Sequence, residues 1–203
     1  MRPEVVATVA GHPVLVSDVD SREARLRTSR SAAALPHTGT SEGRQLRRWL
    51  TQLMVTERVV AAEAAAFGLD AEGAPDEREV LPDNVARMEL GSVAASVLQQ
   101  PLARALFVRV TAAVEVSDDD VADYHARNLG RFGSMAQGAD GWRSRTPAPL
   151  DEARPAITEH LCAAARRRAF RRWLDARCAA LVELAPGYEH PGDPRQPDNT
   201  HRH

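Results

Sequence analysis

The chain of 203 residues contains no lysine; all 26 of its basic residues are arginine. That absence excludes Schiff-base chemistry and a P-loop lysine. Aromatic residues make up only 4% of the chain, so a core must be built from Leu, Val and Ala, which suits packed helices. The two cysteines, Cys162 and Cys178, fall in one predicted helix. Sixteen residues of helix span about 24 Å, too far for a disulfide between them, so both are expected as buried thiols. No apolar run approaches membrane-spanning length, and Met1-Arg2-Pro3-Glu4 leads directly into Val5-Val6-Ala7 with no apolar stretch of signal-peptide length. A cytoplasmic protein without a membrane partner is expected. No Gly-x-Ser-x-Gly, Gly-x-Gly-x-x-Gly, Walker or paired-cysteine metal motif occurs, which removes the common hydrolase, dinucleotide, nucleotide and zinc-ribbon readings. The 26 basic residues are balanced by 28 acidic ones, a formal charge of −2. Nucleic acid is therefore not expected as a partner.

What is present is mostly helix signal. Val5–Val9 and Val14–Val16 read as a hairpin turning at Gly11-His12-Pro13. Ser17-Asp18 is placed to cap a helix to about Ala34, and Leu35 to Gly43 reads as a loop. Leu46, Trp49, Leu50, Leu53, Met54, Val60, Ala61, Ala64 and Phe67 form one helical stripe closed by Gly68. After an acidic connector from Asp70 to Pro82, helices are expected over residues 84–98 and 102–110, parted at Pro101. Ser117-Asp118-Asp119-Asp120 has capping-box form and opens a helix to about Asn128. Residues 130–149, rich in Gly, Pro and Ser, read as a loop. Leu150 to about Ala180 is a long helix, and Leu181-Val182-Glu183-Leu184 a strand. The tail from Pro186 to His203 holds four prolines and no aliphatic side chain.

Four of these segments, in this order, resemble the SurA/PrsA-type foldases of the parvulin class. Val6-Ala7-Thr8-Val9-Ala10-Gly11-His12-Pro13-Val14-Leu15-Val16-Ser17-Asp18-Val19 is similar to that family's opening hairpin and helix. Glu57-Arg58-Val59-Val60 with Ala62-Glu63-Ala64 and Phe67-Gly68-Leu69 is similar to its next helix. Val116 to Val121 with Tyr124, Asn128 and Phe132 resembles the segment before the isomerase domain, and Leu150, Arg154-Pro155-Ala156-Ile157, Arg167-Arg168-Ala169-Phe170 and Trp173-Leu174 resemble the helix after it. The resemblance implies a mainly α fold. It further implies a helical chaperone module over residues 1–185, whose N-terminal hairpin and C-terminal strand would form a small sheet, followed by the tail, 186–203. Only Gly133 to Pro149 stand where the parvulin domain would be. A compact domain needs at least about 50 residues, so prolyl isomerase activity is not implied.

Candidate sites divide two ways. Arg167, Arg168, Arg171 and Arg172 lie within an arc of roughly 140° on one helix. A solvated basic face accounts for them; the sharper reading is recognition of an acidic partner or a carboxylate-bearing ligand. With Trp49 they are the candidate peptide- or partner-binding residues of a non-catalytic module that holds an apolar peptide or a partner protein. The alternative is a metal- or small-molecule-binding protein, with His190, His201 and His203 of the tail suited to Zn²⁺, Ni²⁺, Cu²⁺ or Fe²⁺. Glu57 falls inside an apolar stripe. It is expected to be held by an internal salt bridge, with one of the late arginines as partner, and a general base in a cavity is the other reading of it.

Overall fold

In the computed structural model, strands from near the two ends of the described residues meet in one sheet. The structure describes residues 4–30, 32–132, 134–137 and 143–188, with the backbone alone at 134–137 and 143–146. Strand β1 (Val5–Val9) pairs antiparallel with β2 (His12–Leu15), Val9 opposite His12 and Ala7 opposite Val14. Ala10 and Gly11 turn the chain at φ 49° and 80°, the positive φ pair that a two-residue hairpin needs to match strand twist. The turn thus shares Gly11 with the Gly11-His12-Pro13 expected to form it, while His12 and Pro13 belong to β2. Pro13 is accommodated because β2 is an edge strand.

Helix α1 (Val16–Arg27) starts at once. Asp18 does not cap it from outside. Its carboxylate accepts the Leu15 backbone N–H at 3.1 Å from within the first turn. The helix ends well before Ala34, because Thr28 and Ser29 turn their hydroxyls onto the carbonyls of Arg25 and Leu26 at 3.0 and 2.7 Å, competing with the helical ladder. A short 3₁₀ turn follows at Ala32–Ala34. The central helix α2 (Ser41–Ala66) is capped by Thr40, whose hydroxyl accepts the Gly43 N–H at 3.1 Å. Gly43 sits so close to the preceding loop that a Cβ there would lie 2.3 Å from the His37 carbonyl oxygen.

The helices expected over 84–98 are two, α4 (Asn84–Leu90) and α5 (Ser92–Val97), preceded by the single turn α3 (Glu77–Val80). Gly91, at φ 83° and ψ 161°, breaks the pattern. Next come α6 (Pro101–Thr111), with Pro101 at its first position, and α7 (Asp118–Arg127), capped by Ser117, whose hydroxyl accepts the Asp120 N–H at 3.1 Å. The loop expected over 130–149 instead contains a short antiparallel pair, β3 (Ser134–Gln137) and β4 (Arg143–Thr146). The 32-residue α8 (Leu150–Leu181) then leads directly into β5 (Val182–Leu184), which pairs antiparallel with β1, Ala7 opposite Leu184. The sheet order is β2-β1-β5, so hairpin and closing strand combine as the resemblance implied. The fold is mainly α with a small antiparallel sheet.

One core gathers the sheet, α2, α5, α6 and the second half of α8 around fully buried Leu50, Val59, Leu98, Leu106 and Phe170. The Phe170 ring lies 5.3 Å from Phe107 and 5.9 Å from Trp173. A second, smaller core forms where α7 packs on the start of α8, around Val121, Ala153 and Ile157. No helix among the described residues is long and apolar enough to cross a membrane.

Candidate functional site

Gly91 ends α4 and begins α5, which packs on α2, and two recesses adjoin along α5, together called the groove. At one end is an open recess of about 480 Å³ lined by Asn84, Arg87, Met88, Ser92, Ala95 and Ser96. Met88 is 71% exposed, and Val85, one turn earlier on α4, is 58% exposed. Met88 lines this recess, whereas Val85 lines the cavity between α4 and α8, so the apolar exposure at the recess is that of Met88. Ser96 also lines a second recess of about 350 Å³, walled by Trp49, Glu57 and Arg22 with Leu26, Leu50 and Leu53 as its apolar lining. The Trp49 indole N–H donates to the Ser92 hydroxyl at 3.1 Å, tying the two recesses together.

Glu57 has its internal salt bridge, but with a different partner from the one expected. Its Oε1 accepts from Arg22 on α1 at 3.1 Å and from Gln100 at 2.9 Å. The late-helix arginine that reaches α2 is Arg177, which pairs with the nearly buried Glu63.

The four arginines expected as a single basic face are divided by the fold. Arg167 is buried, and its guanidinium Nε lies 2.7 Å from Oε2 of Glu89. This is a correction to the solvated-face reading: α4 packs against α8 there and supplies the carboxylate. Arg171 donates to the Glu89 carbonyl at 3.3 Å and lines a small cleft of about 150 Å³ with Gln52, Gly91 and Ser92, the last of which also bonds Trp49. Arg168 is exposed and lines a cleft of about 440 Å³ between α7 and α8 with Tyr124 and Leu161. Arg172 is exposed. Trp49 is thus placed in the groove, Arg171 at its border, and Arg167 and Arg168 elsewhere.

A mixed-charge cavity of about 440 Å³ between α4 and α8 holds His160, Arg131, Arg167 and Glu89. Burial, then the guanidinium groups of Arg131 and Arg167, hold the His160 imidazole below its ordinary pKa. Its ring stands 5.4 Å from Tyr124. His125 on α7 instead meets the Ala148 carbonyl at 2.8 Å, steadying the approach to α8. Both cysteines are free and half-buried rather than buried, and burial raises the Cys178 thiol. Among the described residues no three His, Cys, Asp or Glu side chains group to hold a metal. His190, His201 and His203 lie outside the described residues.

Met88, Ser92, Ser96 and Gln100 escaped the reading of the sequence as a groove. Gly91-Ser92 within an otherwise helical pattern is the signal that would have found it, since glycine there costs about 1 kcal/mol in a continuous helix.

Residues 5–42, which take in β1, β2, α1 and the start of α2, match the model of a family described as of unknown function, DUF7158. No curated protein and no solved structure matches the chain.

Proposed function

We propose that the chain is a non-catalytic, chaperone-like module that binds an extended apolar peptide segment, from an unfolded client or a partner protein, in the groove over α5. The observation that carries this reading is that the exposed Met88 recess and the recess walled by Trp49 adjoin along α5, sharing Ser96 in their linings and bridged by the Trp49–Ser92 hydrogen bond. A methionine lip adapts to side chains of different shape, and a half-buried indole offers a large rigid face with little entropy to lose. The resemblance to the helical chaperone module of the SurA/PrsA-type foldases supports the same use. The groove is shallow, so two aliphatic side chains buried in it contribute about 3–6 kcal/mol before ordering costs. Affinities in the micromolar range or weaker follow, which suits a holder that must release.

The test is an unbiased peptide-library screen on the full chain, paired with suppression of light scattering by an aggregating client. Apolar peptides are expected to bind, and Met88→Asp is expected to weaken them about tenfold, because it places a charge where an apolar side chain must desolvate. A library with no binders overturns the reading.

A further inference from the structure

We infer that the Trp49–Glu57 recess takes the guanidinium head of an arginine, so that the peptide lying along α5 carries an arginine beside its apolar residues; this rests on the peptide-binding reading above. Both of the bonds to Glu57, from Arg22 and from Gln100, end on Oε1. Oε2 receives none among the described residues, although the side chain is only 20% exposed. That oxygen is not closed off from solvent, so a charged donor arriving in the recess can reach it.

The same chain contains the completed form of this arrangement. The buried carboxylate of Glu23 takes Arg27 on Oε1, from Nε at 2.9 Å and Nη2 at 2.6 Å, and Arg47 on Oε2 at 2.9 Å. One carboxylate thereby bridges two guanidiniums, and Glu57 with Arg22 is the same device with its second position open. Around that position the recess supplies what an arginine side chain needs. Leu26 and Leu53 receive an aliphatic stem, and the Trp49 ring receives a flat cation. The amide oxygens of Gln99 and Gln100 add acceptors. A planar, forked donor fits such a site better than an ammonium.

The experiment compares, on the full chain, a blocked hexapeptide of leucine and alanine bearing one arginine with the same peptide bearing citrulline, its neutral isostere. Fluorescence anisotropy is expected to give about tenfold tighter binding for the arginine peptide, the scale of one charge-assisted hydrogen bond. Glu57→Gln, which keeps an oxygen for Arg22 and Gln100, is expected to erase that preference while leaving the citrulline peptide unchanged. A second measurement needs no peptide. Butylguanidinium titrated into the protein is expected to shift the Trp49 indole N–H resonance, assigned with Trp49→Phe, and to lose the shift in Glu57→Gln. Equal affinity for the two peptides, or a preference that survives in Glu57→Gln, overturns the assignment of the recess alone. Failure of both peptides together with an unmoved indole resonance overturns it along with the peptide-binding reading.

Discussion

Arg167 on α8 and Glu89 on α4 form an ion pair in which the arginine is the buried member: its side chain is 7% exposed, that of Glu89 29%, and Nε lies 2.7 Å from Oε2. The asymmetry orders the effects of breaking the pair. Glu89→Ala strands a guanidinium inside the protein and is expected to cost about 2–4 kcal/mol. Arg167→Met replaces the cation by an apolar side chain of similar length and leaves Glu89 partly hydrated, so it is expected to cost about 1 kcal/mol or less. Urea denaturation of the two variants reads the difference. A costlier Arg167→Met would mean that the pair stabilises the packing of α4 on α8 through Arg167 itself.

Gly91 is the hinge point of the groove. Its φ of 83° and ψ of 161° belong to a region that side chains rarely enter, and a Cβ would stand 3.4 Å from Nη1 of Arg171. Gly91→Ala is expected to destabilise the protein by about 1–3 kcal/mol. It is also expected to weaken apolar peptides, because α4 and α5 would no longer meet at the angle that joins the two recesses. Denaturation midpoints and peptide affinities, measured on the same variant, check both halves.

Most of the helices were legible because their signals are local. The stripe from Leu46 to Phe67, Thr40 and Gly68 at its ends, Pro101, and the Ser117 cap each act within a few residues of the backbone they order. The closing strand was legible for a different reason: the hairpin at the N-terminus leaves an edge, and Val182–Leu184 is the apolar β-prone segment left to cover it. What escaped depends on distant residues. Arg167 meets Glu89 seventy-eight positions earlier, and Glu57 meets Arg22 thirty-five earlier; no helical wheel carries that information. The β3–β4 pair escaped because Ser-Met-Ala-Gln and Arg-Ser-Arg-Thr lack the apolar alternation by which a half-buried strand is recognised. The groove escaped because it exists only where α5 is turned against α2.

His160 is expected to make stability fall on mild acidification. Its imidazole is held below the ordinary value by burial and by the guanidiniums of Arg131 and Arg167, with Glu89 and Asp83 opposing them. The unfolded chain therefore takes up the proton first. The contribution is fully present above the unfolded pKa of about 6.5, and it is lost as the pH falls from there toward the lower native value. Melting temperatures between pH 7.5 and 5.5 should drop more steeply for the natural protein than for His160→Gln. Parallel curves would show that the proton taken up in this range sits elsewhere.

The closing strand bears on stability without touching the groove, and the two can be separated. The Ala185 N–H donates to the carbonyl of fully buried Val6 at 2.9 Å, one residue beyond β5. Ala185→Pro removes that donor and leaves the carbonyl short of a partner, an expected cost of about 1–3 kcal/mol. Pairing between β1 and β5 joins residues near opposite ends of the chain, so its loop-closure entropy is met only late in folding. Weakening it should slow refolding less than it speeds unfolding. Peptide affinity, read at a temperature where the variant is folded, should be unchanged, because α2 and α5 are still held by Leu50, Leu98 and Leu106 in the main core. A loss of peptide binding in folded Ala185→Pro would mean that the sheet helps to shape the groove.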